Sequence, residues 1–251
     1  MTAMPPTPWL VRARPVADPR LRLYCLPHAG AGPSVFTAWA RALPADIELC
    51  AIHLPGREVR LSEPAATRMT PLVDAMAAAV APTLDRPYAV FGHSMGATVG
   101  FELVRALRRR GAPPPSRLWV AGRRAPHLPT PRPWRHTLSG PEFMAELRRL
   151  GGTPPELLAD PDLAAMFAAI LRADFAVLET HAWTPEPALE SPIVVLHGTA
   201  DLEVSHAESA AWASHSTHPL GMHEFSGGHF FPHVQRAAVL ERIVADLAPP
   251  P

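Results

Sequence analysis

Apolar residues fall along this chain in short continuous runs separated by longer amphipathic stretches. Residues 21–26, 47–53, 88–91, 118–121, 193–197 and 222–225 are runs of this first kind. They are too short for buried helices and rich in β-branched and aromatic side chains, so they predict strands covered on both faces. Between them, apolar positions recur at helical spacing over residues 35–43, 69–84, 98–110, 205–214 and 232–247. Thr98, Val99, Phe101, Leu103, Val104 and Leu107 trace one such face; Val234, Ala238, Val239, Ile243 and Leu247 trace another. Strand alternating with helix predicts an α/β chain with a doubly wound, mostly parallel sheet, its site at the strands' carboxyl ends.

The rhythm fails in two places. Residues 1–20 are rich in Pro and Arg, with Trp9-Leu10-Val11 as the one candidate strand, and predict a loosely attached N-terminal arm. Residues 123–191 contain no good strand, only helical patterns at 141–150 and 163–178. Leu163, Met166, Phe167, Ile170 and Phe175 give the second pattern a broad apolar face, and Gly151-Gly152 between the two offers a hinge. This reads as a helical lid, 123–191, inserted into a core made of 21–122 and 192–251.

Composition narrows the possible partners. All 23 basic residues are Arg, balanced by 23 Asp and Glu, with a pI near 7.3, so net charge favours neither nucleic acid nor an anionic membrane. The absence of Lys excludes a lysine Schiff base, and the absence of Asn excludes an N-glycosylation sequon. Cys25 and Cys50 each lie in a strand-like run and read as buried free thiols. Prolines interrupt the N-terminal apolar residues, and no run approaches the ~18 apolar residues of a membrane span. A cytoplasmic protein is expected.

The chemistry concentrates where strands end. Gly92-His93-Ser94-Met95-Gly96 joins a strand directly to a helix, the context of a nucleophile elbow. The glycines let neighbouring backbone pass close to the corner serine. Asp201 follows the run at 193–197, and His229 follows Gly227-Gly228 after the last strand. Nucleophile, acid and histidine thus occur in the order of the α/β-hydrolases. A serine hydroxyl needs a base; His229 can take and return its proton, and Asp201 can fix the histidine tautomer. Glu203 and Glu179 are the weaker rivals for the acid. The backbone N–H groups of Ala29 and Met95 are the candidates for an oxyanion hole.

Cofactor and metal readings are weaker. Gly30 and Gly32 follow a strand, but Val35 stands where G-x-G-x-x-G needs its third glycine and no acid closes the next strand. No cofactor is expected. His229 and His233 have the i, i+4 spacing of metal ligands among 13 histidines, with His206, His215, His218 and His223 nearby. Without HExxH or a cysteine cluster, no metal is expected, and His28 and His93 read as shaping the oxyanion hole.

Several segments together resemble one family. Leu26-Pro27-His28-Ala29-Gly30-Ala31-Gly32 with Phe36, His53-Leu54-Pro55-Gly56-Arg57-Glu58, Gly92-His93-Ser94-Met95-Gly96-Ala97, Gly198-Thr199-Ala200-Asp201 and Gly228-His229-Phe230 are similar to segments of the type II thioesterases. These are discrete editing enzymes of polyketide and nonribosomal peptide synthesis. The one small departure is Ala31, where many relatives have glycine. The resemblance implies an α/β-hydrolase core with a helical lid. It also implies hydrolysis of stalled or wrongly loaded acyl groups from the phosphopantetheine arm of an acyl or peptidyl carrier protein. Phe143, Met144, Leu147, Phe167, Ile170 and Phe175 are then expected to line the acyl path. The alternatives are a carboxylesterase or acyltransferase of the same fold and a non-catalytic carrier-binding module, the last disfavoured by the intact Ser94, Asp201 and His229.

Overall fold

The computed structural model describes residues 6–130, 133–153 and 155–248. In chain order the elements are β1 (Leu10–Val11), β2 (Leu21–Leu26), α1 (Thr37–Ala42), β3 (Ile47–Ile52), α2 (Met69–Val80), β4 (Tyr88–His93), α3 (Met95–Arg109) and β5 (Leu118–Ala121). After β5 come α4 (Gly140–Leu150), α5 (Pro155–Ala159) and α6 (Pro161–Glu179). The chain then returns through β6 (Ile193–Gly198), α7 (His206–Ala210), β7 (Gly221–Phe225), α8 (Phe231–Val234) and α9 (Arg236–Asp246). The strands form one sheet in the order β1-β3-β2-β4-β5-β6-β7, every neighbouring pair parallel except β1 with β3. The chain winds one way from β2 to β3 and the other way from β4 onward. The carboxyl ends of β2 and β4 therefore flank the switch point, where an open sheet leaves a crevice.

The predicted doubly wound sheet is what the chain forms, and burial on both faces explains the uninterrupted apolar runs. Alternation divides each strand between two cores. Tyr24, Leu26, Cys50, Ile52 and Val90 pack under α2 and α3, while Leu23, Cys25, Leu49, Phe91 and Trp119 pack under α1 and α9. Cys25 and Cys50 are buried free thiols on opposite faces of the sheet, which accounts for the absence of a bond between them. No helix among the described residues is long and apolar enough to cross a membrane.

Four local expectations need correction. The N-terminal arm is tied down, not loose: β1 forms the edge of the sheet against β3, and His53 donates its N–H to Trp9 O at 2.8 Å. Glu48, fully buried in β3, also gathers the arm, accepting from Arg12 at 3.2 Å and from the Val16 N–H at 3.0 Å. Residues 35–43 start as a 3-10 turn, Pro33–Phe36, before α1, and the C-terminal pattern splits at Gln235 into α8 and α9. Gly151 and Gly152 are not a free hinge. Gly151 caps α4 in the left-handed conformation at φ 69°, and a Cβ on Gly152 would stand 2.2 Å from the Phe230 ring.

Glu48 also holds buried Arg22 at 2.9 Å, so Glu48→Ala leaves that guanidinium with Asp85 as its remaining carboxylate partner and strands two arm donors. A destabilisation of about 3 kcal/mol is expected from breaking a buried pair. Calorimetry should show Tm lower by roughly 6–12 °C for a chain of this size. Asp18→Ala, which removes only an exposed partner of Arg86, should shift Tm by less than about 3 °C.

Candidate active site

The elbow is built by close backbone approach. Ser94 sits between β4 and α3 at φ 52°, one of two non-glycine residues with positive φ among those described. A Cβ on Gly92 would lie 2.2 Å from the Gly96 carbonyl oxygen, and one on Gly96 would lie 2.2 Å from the Leu26 carbonyl oxygen. Glycine is thus required on both sides of the serine by contact, as the motif suggests. Ser94 donates its own N–H to Ala121 O at 2.8 Å, which anchors the corner to β5.

Three strand-end residues meet above this corner. His229 Nε2 lies 2.9 Å from Ser94 Oγ, and His229 Nδ1 lies 2.9 Å from Asp201 Oδ2. A carboxylate can only accept, so Nδ1 carries the proton and Nε2 is left to accept from the serine hydroxyl. Asp201 Oδ1 accepts the N–H groups of Glu203 at 2.8 Å and Val204 at 3.3 Å. Burial works to raise the Asp201 pKa, but the hydrogen bond and charge interaction with His229 and these two N–H donors outweigh it. The carboxyl is held below its ordinary range.

The rival acids are engaged elsewhere. Glu203 pairs with Arg149 at 2.7 Å and with Arg135, while Glu179 accepts from the Arg135 and His136 N–H groups at 2.9 and 3.0 Å. Neither touches His229. Met95 opens α3, so its N–H is one of the donors a helix leaves without an intrahelical partner. Ala29 lies in the loop after β2, at the other side of the switch point.

Ser94 and His229 open into a cavity of about 1270 Å³ between the strand ends and the segment after β5. Phe167, Ile170 and Phe175 line it, together with Leu147, Leu150, Met166 and Leu171. Phe143 and Met144 do not. Phe143 is fully buried beside Leu147, Leu171 and Phe175, with the Arg172 guanidinium 4.2 Å above its ring, and Met144 packs against the same cluster. The helical stripe gives the apolar face of α4 but not which part of it meets the cavity.

A second group of histidines lies beside the serine. The sequence spacing points to His229 with His233; the structure instead groups His233 with His28 and His93. One ring nitrogen of each lies within 4.8 Å of the others, making this the trio among the described residues able to approach a common metal ion. Here His28 Nδ1 and His233 Nε2 are 3.2 Å apart, and His93 Nε2 donates to His229 O at 2.9 Å. Burial, reinforced by the neighbouring His233 and His229, pushes the His28 pKa down to about 3. Burial likewise lowers those of His93 and His233. His28 lies in the loop after β2, His93 ends β4 and His233 lies in α8, so no local spacing could have grouped them.

Comparison with known families matches residues 21–247 to the thioesterase domain. Among curated proteins, the chain is 35% identical to the linear gramicidin dehydrogenase LgrE of Brevibacillus parabrevis, over 98% of this chain and 95% of that one. It is also 35% identical to the gramicidin S biosynthesis protein GrsT of Aneurinibacillus migulanus, over 93% and 91%. Among solved structures, the type II thioesterase BorB from the borrelidin biosynthetic cluster superposes with a TM-score of 0.88 at 34% identity. That superposition covers 96% of this chain and 98% of BorB.

The neutral histidines make stability depend on pH. Their folded pKa values lie below the unfolded value of about 6.5, so the unfolded chain binds more protons in acid and stability falls as pH drops below that value. Urea unfolding from pH 8 to pH 5 should show a flat region above about pH 7 and a decline below it. Each coupled proton contributes up to about 1.4 kcal/mol per pH unit. His233→Gln should flatten that decline; stability unchanged down to pH 5 in the wild type would mean that these rings are not held neutral.

Proposed function

The chain belongs to the thioesterase domain family, and on that premise we propose that it is a type II editing thioesterase. It hydrolyses stalled or wrongly loaded acyl groups from the phosphopantetheine arm of carrier proteins in polyketide or nonribosomal peptide synthesis. The observation that carries this reading is the chain of hydrogen bonds from Ser94 through His229 to Asp201, open at the serine to a large cavity with an apolar wall of Phe167, Ile170, Leu171 and Phe175. Identity near 35% across almost the whole length of GrsT and BorB supports the editing role. The dehydrogenase named among the relatives would need a nicotinamide cofactor, and the loop after β2 has Val35 where the third glycine of the dinucleotide motif belongs.

In the proposed reaction the thioester carbonyl carbon stands over Ser94 with the acyl chain along Phe167, Ile170 and Phe175. Ser94 Oγ attacks while its proton passes to His229 Nε2, and the imidazolium so formed is stabilised by Asp201. The carbonyl oxygen gains negative charge and accepts the N–H groups of Met95 and Ala29. The positive end of α3 favours that charge. Collapse breaks the carbon–sulfur bond, and His229 returns its proton to the departing pantetheine sulfur. A water molecule then gives a proton to His229 and attacks the acyl-serine. The free acid leaves and the Ser94 hydroxyl is restored.

Intact-mass measurement of an acyl-carrier protein in single turnover tests this directly. The wild type should release the acyl group, Ser94→Ala should leave it in place, and a serine-reactive phosphonate should label Ser94 alone. Asp201→Asn should lower turnover by roughly 10⁴, the loss seen when a triad acid is neutralised. Should Glu203→Gln or Glu179→Gln be the damaging change instead, Asp201 is not the acid.

The cavity also makes a prediction about substrate. An apolar wall discriminates by only about 1–3 kcal/mol per methylene. Activity should extend across short acyl groups, and Phe167→Ala should shift the optimum to longer chains. Carrier-bound substrates should exceed acyl-pantetheine in kcat/KM, because carrier contacts add binding energy away from the reacting bond. An unchanged chain-length profile in Phe167→Ala, with no advantage from the carrier, would refute this account of the cavity.

A further inference from the structure

The Leu54-Pro55-Gly56-Arg57-Glu58 segment after β3 has no part in the reaction just described, yet its charged side chains grip the loop after β2. Buried Arg57 forms a two-pronged pair with Asp174 of α6, Nη1 to Oδ2 at 2.8 Å and Nη2 to Oδ1 at 2.7 Å. Arg57 Nη1 also donates to the Ala31 carbonyl at 3.2 Å, and Asp174 Oδ2 accepts the Gly30 N–H at 2.7 Å. On the other side of the loop Glu58 accepts the Ser34 N–H at 3.2 Å. Its carboxylate occupies the place a Cβ on Gly32 would need, 2.2 Å away. Glu58 is itself the second positive-φ residue, at 48°, a conformation that persists only where the surroundings impose it.

Stability does not explain this arrangement. Two buried charges lose more in desolvation than a well-packed apolar pair of similar volume would, so the pair is a poor way to hold a fold together. What the charges supply is direction. Asp174 fixes the direction of the Gly30 N–H, and Arg57 that of the Ala31 carbonyl. The Ala29–Gly30 and Ala31–Gly32 peptide groups are thus oriented, and with the first of them Ala29, whose N–H is one of the two proposed oxyanion donors. Leu171, one turn before Asp174 on α6, closes over Gly30, where a Cβ would meet it at 2.7 Å.

We infer that Arg57 and Asp174 are positioning residues for the oxyanion hole, and that Asp174 makes the hole depend on α6 being seated. This rests on the thioesterase reading and adds to it a reason for the arginine after β3 and for a carboxylate on the helical cover. A group that orients a donor used only in the transition state affects kcat and leaves KM almost unchanged. Losing one oxyanion donor costs about 10²–10³ in kcat.

Two variants separate positioning from folding. Asp174→Asn is nearly isosteric and keeps an acceptor for Gly30 but not the charge. The double variant Arg57→Met with Asp174→Leu leaves no unpaired buried charge, so it should keep the wild-type Tm or exceed it. Steady-state kinetics on an acyl-carrier substrate should give kcat about 10-fold lower for Asp174→Asn. The loss should be at least 30-fold for the double variant, with KM within three-fold in both. Affinity for an alkyl trifluoromethyl ketone, which forms a tetrahedral adduct with a serine, should fall in parallel with kcat. Either folded variant retaining kcat and adduct affinity within three-fold of wild type overturns the inference. Inactivity of the wild type itself on acyl-carrier substrates would instead overturn the thioesterase reading.

Discussion

The approach of the first turn of α3 to the ends of β2 and β4 is the constraint on which the rest of the site depends. It leaves no room for a side chain at Gly92 or Gly96, and it forces Ser94 into a conformation that costs a non-glycine residue about 1–3 kcal/mol. The strands on either side are buried throughout, so the strain is held by the sheet and not relieved by the loop. One contact then sets two halves of the chemistry. The serine hydroxyl is lifted into the crevice at the switch point with the Met95 N–H behind it. Because Gly96 rests on Leu26 and Pro27, the loop carrying Ala29 must leave β2 beside that same serine.

Around this corner the protein keeps mobile charge scarce. His28 and His93 are held neutral by burial and by the neighbouring His229 and His233, and Asp201 is the carboxylate that His229 touches. A proton arriving on His229 therefore finds one ionic partner, while charge arriving on a bound carbonyl oxygen faces backbone dipoles. His93 contributes through the main chain: by donating to His229 O it fixes the backbone of the proposed base. Two arginines of the cavity wall are kept out of this balance by their own acids. Arg135 and Arg149 are both paired with Glu146 and Glu203.

Much of this was legible in the sequence because parallel strands are short continuous apolar runs and each proposed reacting residue stands just after one. Ser94, Asp201 and His229 follow β4, β6 and β7, and a parallel sheet delivers all three to one edge. What escaped was long-range or polar. Glu48 lies inside an apolar run, so nothing local reveals that it binds Arg12 and the Val16 N–H and fastens the arm. Gly151-Gly152 looks like a hinge until the Phe230 ring, from a distant loop, is found against it. Arg57 and Asp174 are separated by 117 positions, and only the fold makes them a pair.

That pair also limits how the segment after β5 can move. Its latter part is bound into a unit: Arg172 donates to His136 O and Leu138 O at 2.7 and 2.8 Å, and Glu179 accepts from the same turn. Asp174 then ties this unit to the core through Arg57 and Gly30. Lifting the whole cover would separate this ion pair and release the Gly30 N–H. Residues 156–163, by contrast, include exposed Leu163 and are not tied to the core by any such pair among those described. The cavity wall formed by Ile170, Leu171 and Phe175 therefore belongs to the part of the cover that Asp174 ties to the core. In the proposed reaction this division would hold the thioester carbonyl against its donors and leave the entry of the pantetheine arm to a weaker set of contacts.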